Sequence, residues 1–118
     1  QNLSTFSAHT NNVVEIVEKA NESSLILLDE LGSGTDPVEG AALAVSVIES
    51  LMKSGSKLMV TTHYQELKTF AIESENVENA SCEFDIESLK PTYRLIVGSP
   101  GKSMHLQYLK ISECRNIS

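Results

Sequence analysis

The run Leu25-Ile26-Leu27-Leu28, closed at once by Asp29-Glu30, limits this chain more than any other stretch. Four apolar residues without a polar break suit a short strand buried on both faces of a parallel sheet. Carboxylates at the C-terminal edge of such a strand stand where open α/β sheets bind their ligands. Asp29 could hold Mg²⁺, an ion that keeps several waters and takes only one or two carboxylates. Glu30 could act as general base toward a water. The plainer alternative is a strand ending in two solvated acids, and these six residues alone do not separate the two.

The flanking sequence extends the pattern. Val13, Val14, Ile16, Val17 and Ala20 recur at helical spacing, which predicts an amphipathic helix from Thr10 to Ala20. Leu31 to Thr35 is a loop whose Gly32 and Gly34 allow a close backbone approach. Asp36-Pro37-Val38-Glu39 reads as a helix start, with Asp36 as cap, Pro37 in the first turn and Glu39 completing a capping box. That helix should run to Lys53, stop at Gly55 and be buried nearly all round. Leu58-Met59-Val60 predicts a second buried strand ending in Thr61-Thr62-His63. Tyr64 to Ala71 predicts a short helix. Strand, helix and strand of these lengths form a right-handed crossover unit in a parallel sheet. The period then becomes two at Ala80, Cys82, Phe84 and Ile86, and again at Tyr93, Leu95 and Val97. A turn near Leu89-Lys90-Pro91 makes this an antiparallel hairpin. A short helix is expected beyond Lys102.

Two further segments carry chemistry only in context. His63, at a strand edge, could donate to a phosphate oxygen, although an ordinary partly buried histidine is the commoner case. Ser4-Thr5-Phe6-Ser7-Ala8-His9 precedes the first predicted helix. Hydroxyls and free N–H groups at a helix N-terminus form an anion site, and plain capping explains the segment equally well. Tyr64 and Phe70 read as packing residues.

Composition sets the outer bounds. The 118 residues carry a formal net charge of −7, which excludes gripping nucleic acid through this segment's own overall field. Cys82 and Cys114 have neither metal-ligand spacing nor the density of a disulfide scaffold, so free thiols in a reducing compartment are expected. No signal peptide or membrane-length apolar run is visible. The chain opens at Gln1 directly into motif-like sequence, as a piece of a longer protein would.

The strings LILLDELGSGTDPVEGAALA, TTHYQELK and VENASCEFD followed by PTYRLIVGSPGKS resemble the ATPase domain of the MutS superfamily. The likeness is greatest to its second bacterial branch, MutS-two, and covers Gln1 to Ser103. The resemblance implies an α/β fold: the C-terminal half of a P-loop, ABC-type ATPase, mainly parallel, with an appended antiparallel hairpin. It implies ATP and Mg²⁺ as cofactors. Asp29 would be the metal residue and Glu30 the catalytic base, with His63 as the switch histidine. Gly32 to Asp36 would face a partner subunit, and Ser4, Thr5, Ser7 and Asp36 would be the nucleotide-binding residues, the first three reaching the partner's nucleotide. Two composite sites would form in a homodimer. The parent protein would be cytoplasmic, free of membrane, and would act on mismatched, branched or recombining DNA through other parts. It would suppress homologous recombination. Many members carry a nuclease domain and some associate with ribosomes.

Departures bound what the chain does alone. The loop G-x-x-x-x-G-K-[ST] is absent: Gly101-Lys102-Ser103 ends like it but lacks the earlier glycine. The isolated chain is therefore expected to hydrolyse nothing. The rivals are another ABC-type ATPase, of the chromosome-clamping or transporter kind, and a non-catalytic interaction module. From Met104 to Ser118 the resemblance stops. Reverse translation with freely chosen A/T-rich codons and one added base turns this tail into Asn-Ala-Phe-Ala-Ile-Ser, similar to the family's continuation. A frameshifted, poorly packed tail is the expectation.

Overall fold

The computed structural model describes the backbone of residues 3–98 and 107–111 and the side chains of residues 8–98. The elements run α1 (Leu3–Lys19), β1 (Leu25–Leu28), α2 (Pro37–Lys53), β2 (Lys57–Thr62), α3 (Gln65–Glu73), β3 (Val77–Asp85), β4 (Lys90–Val97) and β5 (Gln107–Ile111). The strands form one sheet in the order β1-β2-β5-β3-β4.

The parallel unit forms where the sequence predicts it. β1 pairs with β2 in parallel from Leu25↔Lys57 to Leu28↔Val60. Between them, the Asp36 carboxylate caps α2 by accepting from the N–H groups of Val38 (3.1 Å) and Glu39 (3.3 Å). Glu39 accepts from the Thr35 hydroxyl and is not seen to return a bond to the cap, so only half of the expected box is made. Gly55, at φ 80°, takes the left-handed conformation that ends the helix without a Cβ penalty.

Burial is one-sided. Ile26, Leu28, Leu58 and Val60 pack with Ala41, Ala44, Val47, Ile48 and Leu51 of α2 and with Leu67 and Ala71 of α3. On the other face Leu25 and Leu27 are 70% and 67% exposed, and Met59 is also exposed. β1 is thus not buried on both faces, and α2 is not buried all round, with Val38 and Ala42 exposed. The reason is that, among the described residues, the helices cover a single face of the sheet.

Three other expectations are corrected. The sheet is not mainly parallel: β5 runs antiparallel to both β2 and β3, and β3 is antiparallel to β4. Residues 107–111 are a central strand and not part of a helix, and backbone pairing on both sides ties them into the sheet. α1 starts at Leu3 and not at Thr10, because neither glycine nor proline interrupts the stretch from Leu3 to Lys19. The β3–β4 hairpin forms as expected, but its turn takes residues 86–89, so Ile86 lies outside β3 and Lys90 and Pro91 already belong to β4; the register shifts between Cys82 and Phe84. Its turn is fastened by Asp85, whose Oδ1 accepts from the N–H groups of Glu87 and Ser88. Hydrogen bonds from Ser88, through side chain and backbone, and from Glu87 hold the Asp85 carboxyl below its ordinary range. Cys82 is a free thiol, while Cys114 and Gly101 to Ser103 lie outside the described residues. Among the described residues no helix is long and apolar enough to cross a membrane.

Candidate functional site

β1 and β2 are parallel and in register, so their C-terminal ends leave the sheet at the same edge. Asp29 and Glu30 follow β1 there, and His63 follows β2; all three are exposed. The link between the strand ends is Thr61. Its hydroxyl donates to Asp29 Oδ1 and accepts from the Glu30 N–H at 2.7 Å. Its carbonyl accepts from the Leu31 N–H at 3.2 Å. Glu30 sits at φ 50°, a left-handed conformation that costs a non-glycine residue about 1–2 kcal/mol.

The loop after the carboxylates is fixed to the fold at two points. Leu31 is fully buried in the core. Gly32, at φ 87°, lies so close to α2 that an added Cβ would stand 2.3 Å from the Gly40 carbonyl oxygen. The Tyr64 hydroxyl donates to the Gly32 carbonyl at 2.8 Å. Burial pushes the Tyr64 phenol above its ordinary pKa, and the charges of Glu66 and Asp36 add to that. The His63 and Tyr64 rings lie with centroids 4.6 Å apart.

Of the residues singled out in the sequence, Asp29, Glu30 and His63 share the edge as expected. Asp36 stands at the far end of the loop, where its Oδ2 is engaged in capping α2. Ser4, Thr5 and Ser7 lie on the first turns of α1 and not in a loop ahead of it, and their side chains are outside the described residues. Thr61, Gly40 and the Tyr64 hydroxyl were not anticipated as parts of the site. Thr61 carried one signal: in a parallel register ending at Leu28↔Val60, it falls beside Asp29.

Among the described residues no group of three or more His, Cys, Asp or Glu side chains could hold a metal ion. A single carboxylate completed by water is the kind of site that Mg²⁺ accepts. Asp29 fits that role: Oδ1 is steadied by Thr61, and Oδ2 has no partner among the described residues. A separate groove of about 350 Å³ runs between α1 and α2, lined chiefly by Val13, Val17, Leu43 and Val47. Leu31 and Gly32 also line it, so it abuts the loop.

The family model described as MutS domain V matches residues 1–115. Endonuclease MutS2 of Clostridium botulinum (strain Okra / Type B1) is 64% identical over 103 residues, which cover 87% of this chain and 13% of that protein. The proteins of the same name from Clostridium acetobutylicum and Clostridium novyi (strain NT) are 63% and 62% identical over the same shares. The chain thus spans only 13% of the length of the curated relatives it matches. A match across nearly the whole chain, together with these identities, makes it a member of the MutS domain V family, on its MutS2 side.

Proposed function

We propose that this chain is the carboxylate-bearing half of an ATP-hydrolysing P-loop domain in a DNA-handling protein of the MutS2 kind. One observation carries the reading: Asp29 and Glu30 leave a parallel pair side by side, both fixed by the same threonine. Asp29 Oδ2 would take a place in the coordination shell of Mg²⁺. The ion, when bound with ATP, offsets the negative charge of the phosphate oxygens. The Glu30 carboxylate would orient a water and accept its proton. His63 would donate from a ring nitrogen to a phosphate oxygen. The loop from Gly32 to Asp36, with Ser4, Thr5 and Ser7, would meet a second protomer, giving composite sites in a homodimer. The phosphate-binding loop would come from another part of the protein.

The relatives' name, Endonuclease MutS2, supports a nuclease in the parent protein, and DNA as its target is part of this proposal. Suppression of recombination, a cytoplasmic location and ribosome association belong to the same proposal. For residues 104–118 we propose a frameshifted origin. The identity to the relatives extends over 103 residues, the length of Gln1 to Ser103, although the family model runs to residue 115. Resequencing the gene across the Ser103 codon decides it: an intact frame there, shared by near relatives, ends the idea.

A non-catalytic reading draws on the exposed Leu25, Leu27 and Met59, which would make the chain an interaction module. Glu30→Gln separates the readings. In the full-length protein it should keep ATP binding and lower turnover about 10²–10⁴-fold, because it removes the base and leaves Asp29. Asp29→Asn should weaken Mg-ATP binding itself. Turnover at the parental rate in Glu30→Gln would overturn the assignment. The 118-residue chain alone should show no micromolar affinity for Mg-ATP by calorimetry, since it lacks the phosphate cradle.

A further inference from the structure

We propose that Thr61 is the positioning residue for both carboxylates, aiming the metal-binding and the proton-accepting group through a single hydroxyl. The proposal deepens the ATPase reading and rests on it for what the carboxylates do. A threonine hydroxyl has one proton to donate and lone pairs with which to accept. Here the proton goes to Asp29 Oδ1 and a lone pair to the Glu30 N–H. The first bond restrains a side chain, and a bond to an ionised acceptor is about twice as strong as a neutral one. The second restrains a backbone, at the residue that adopts φ 50°. The Thr61 carbonyl takes the next N–H, that of Leu31, so three consecutive residues are held by one.

Thr61 is suited to this task because it is itself fixed. It lies on β2, whose backbone pairs in parallel with β1, and its own carbonyl is tied to the Leu31 N–H. Its branched side chain has few rotamers in a strand. The Asp29–Glu30 segment, by contrast, belongs to no helix or strand and follows an edge strand. Without the hydroxyl, the Glu30 N–H would turn to water and the left-handed turn would lose its side-chain support. Tyr64 Oη acts further along, at Gly32, and does not replace it.

Two substitutions test the hydroxyl apart from the packing. Thr61→Val keeps the shape and removes both bonds, whereas Thr61→Ser keeps the hydroxyl and removes a methyl. In this chain, free of metal and nucleotide, the Glu30 amide should exchange with solvent faster in Thr61→Val and at the parental rate in Thr61→Ser. In the full-length protein Thr61→Val should lower Mn²⁺ affinity and turnover about 10–100-fold, the usual effect of losing a partner of a metal ligand. KM for Mg-ATP should rise along with the loss of metal affinity, and Thr61→Ser should restore all three. Parental turnover, metal affinity and amide exchange in Thr61→Val would sink the proposal, as would a Thr61→Ser variant impaired to the same degree. Active Glu30→Gln is a different outcome: it removes the ATPase reading, and the positioning role with it.

Discussion

Gly32 and Gly40 meet where the carboxylate loop turns back over α2, and neither position has room for a methyl group. A Cβ at Gly40 would lie 2.3 Å from the Gly32 carbonyl oxygen and 2.5 Å from Tyr64 Oη. Gly40→Ala should therefore destabilise the fold by about 1–3 kcal/mol, the range for overpacking, read from denaturant unfolding. Gly32→Ala adds the strain of φ 87° and should cost more. Tyr64→Phe removes the bond to the Gly32 carbonyl, for which about 1 kcal/mol is expected. The phenol also sets a pH limit. Its pKa is raised in the folded chain, so its contribution is complete below the ordinary value of about 10 and is lost as pH climbs through the raised value. Thermal melts should show an alkaline loss of stability that is smaller in Tyr64→Phe. Asp29 and Glu30 are legible in the sequence because they adjoin the run that makes their strand. Thr61 is not, because its bond to Asp29 spans 32 residues and exists only once the strands are in register.

Elements defined by local signals are the ones the sequence discloses. The cap at Asp36, the proline at the first position and the glycine at the end delimit α2, and its observed bounds agree with them. Asp36→Ala should cost about 1 kcal/mol by removing the acceptor for two helix N–H groups, measurable by thermal unfolding. The hairpin is equally legible from its period of two. Its turn should loosen in acid: the Asp85 carboxyl is held below its ordinary range, so its contribution is present above the unfolded value and lost as pH falls through the folded one. Amide exchange at Glu87 and Ser88 would report that loss. Elements defined by tertiary partners are less legible. The polar run Ser4 to His9 suits a cap as well as a helix, and propensity differences are too small to choose between them. β5 is five residues long and acquires its strand character from β2 and β3 on either side.

In the whole molecule, a two-sided apolar pattern meets one-sided cover. Leu25-Ile26-Leu27-Leu28 reads as a strand for the middle of a layered fold, yet β1 is an edge strand with Leu25 and Leu27 open. An unpaired strand edge beside an exposed apolar face promotes association. The chain should self-associate in sedimentation experiments, and Leu25→Lys with Leu27→Glu should reduce this without lowering the melting temperature, because neither residue belongs to the core. The parallel pair was readable as part of an α/β fold. The extent of the antiparallel portion was not, since it depends on β5 joining β2 to β3. The Tyr64 contact has one more consequence, for how the loop can be watched. The chain has no tryptophan and only three tyrosines, so its near-ultraviolet emission comes from a very small set of rings. One of them is buried, with its hydroxyl on the Gly32 carbonyl. Any movement of the loop away from α2 would change that ring's surroundings, which makes Tyr64 an unlabelled optical reporter beside the candidate site.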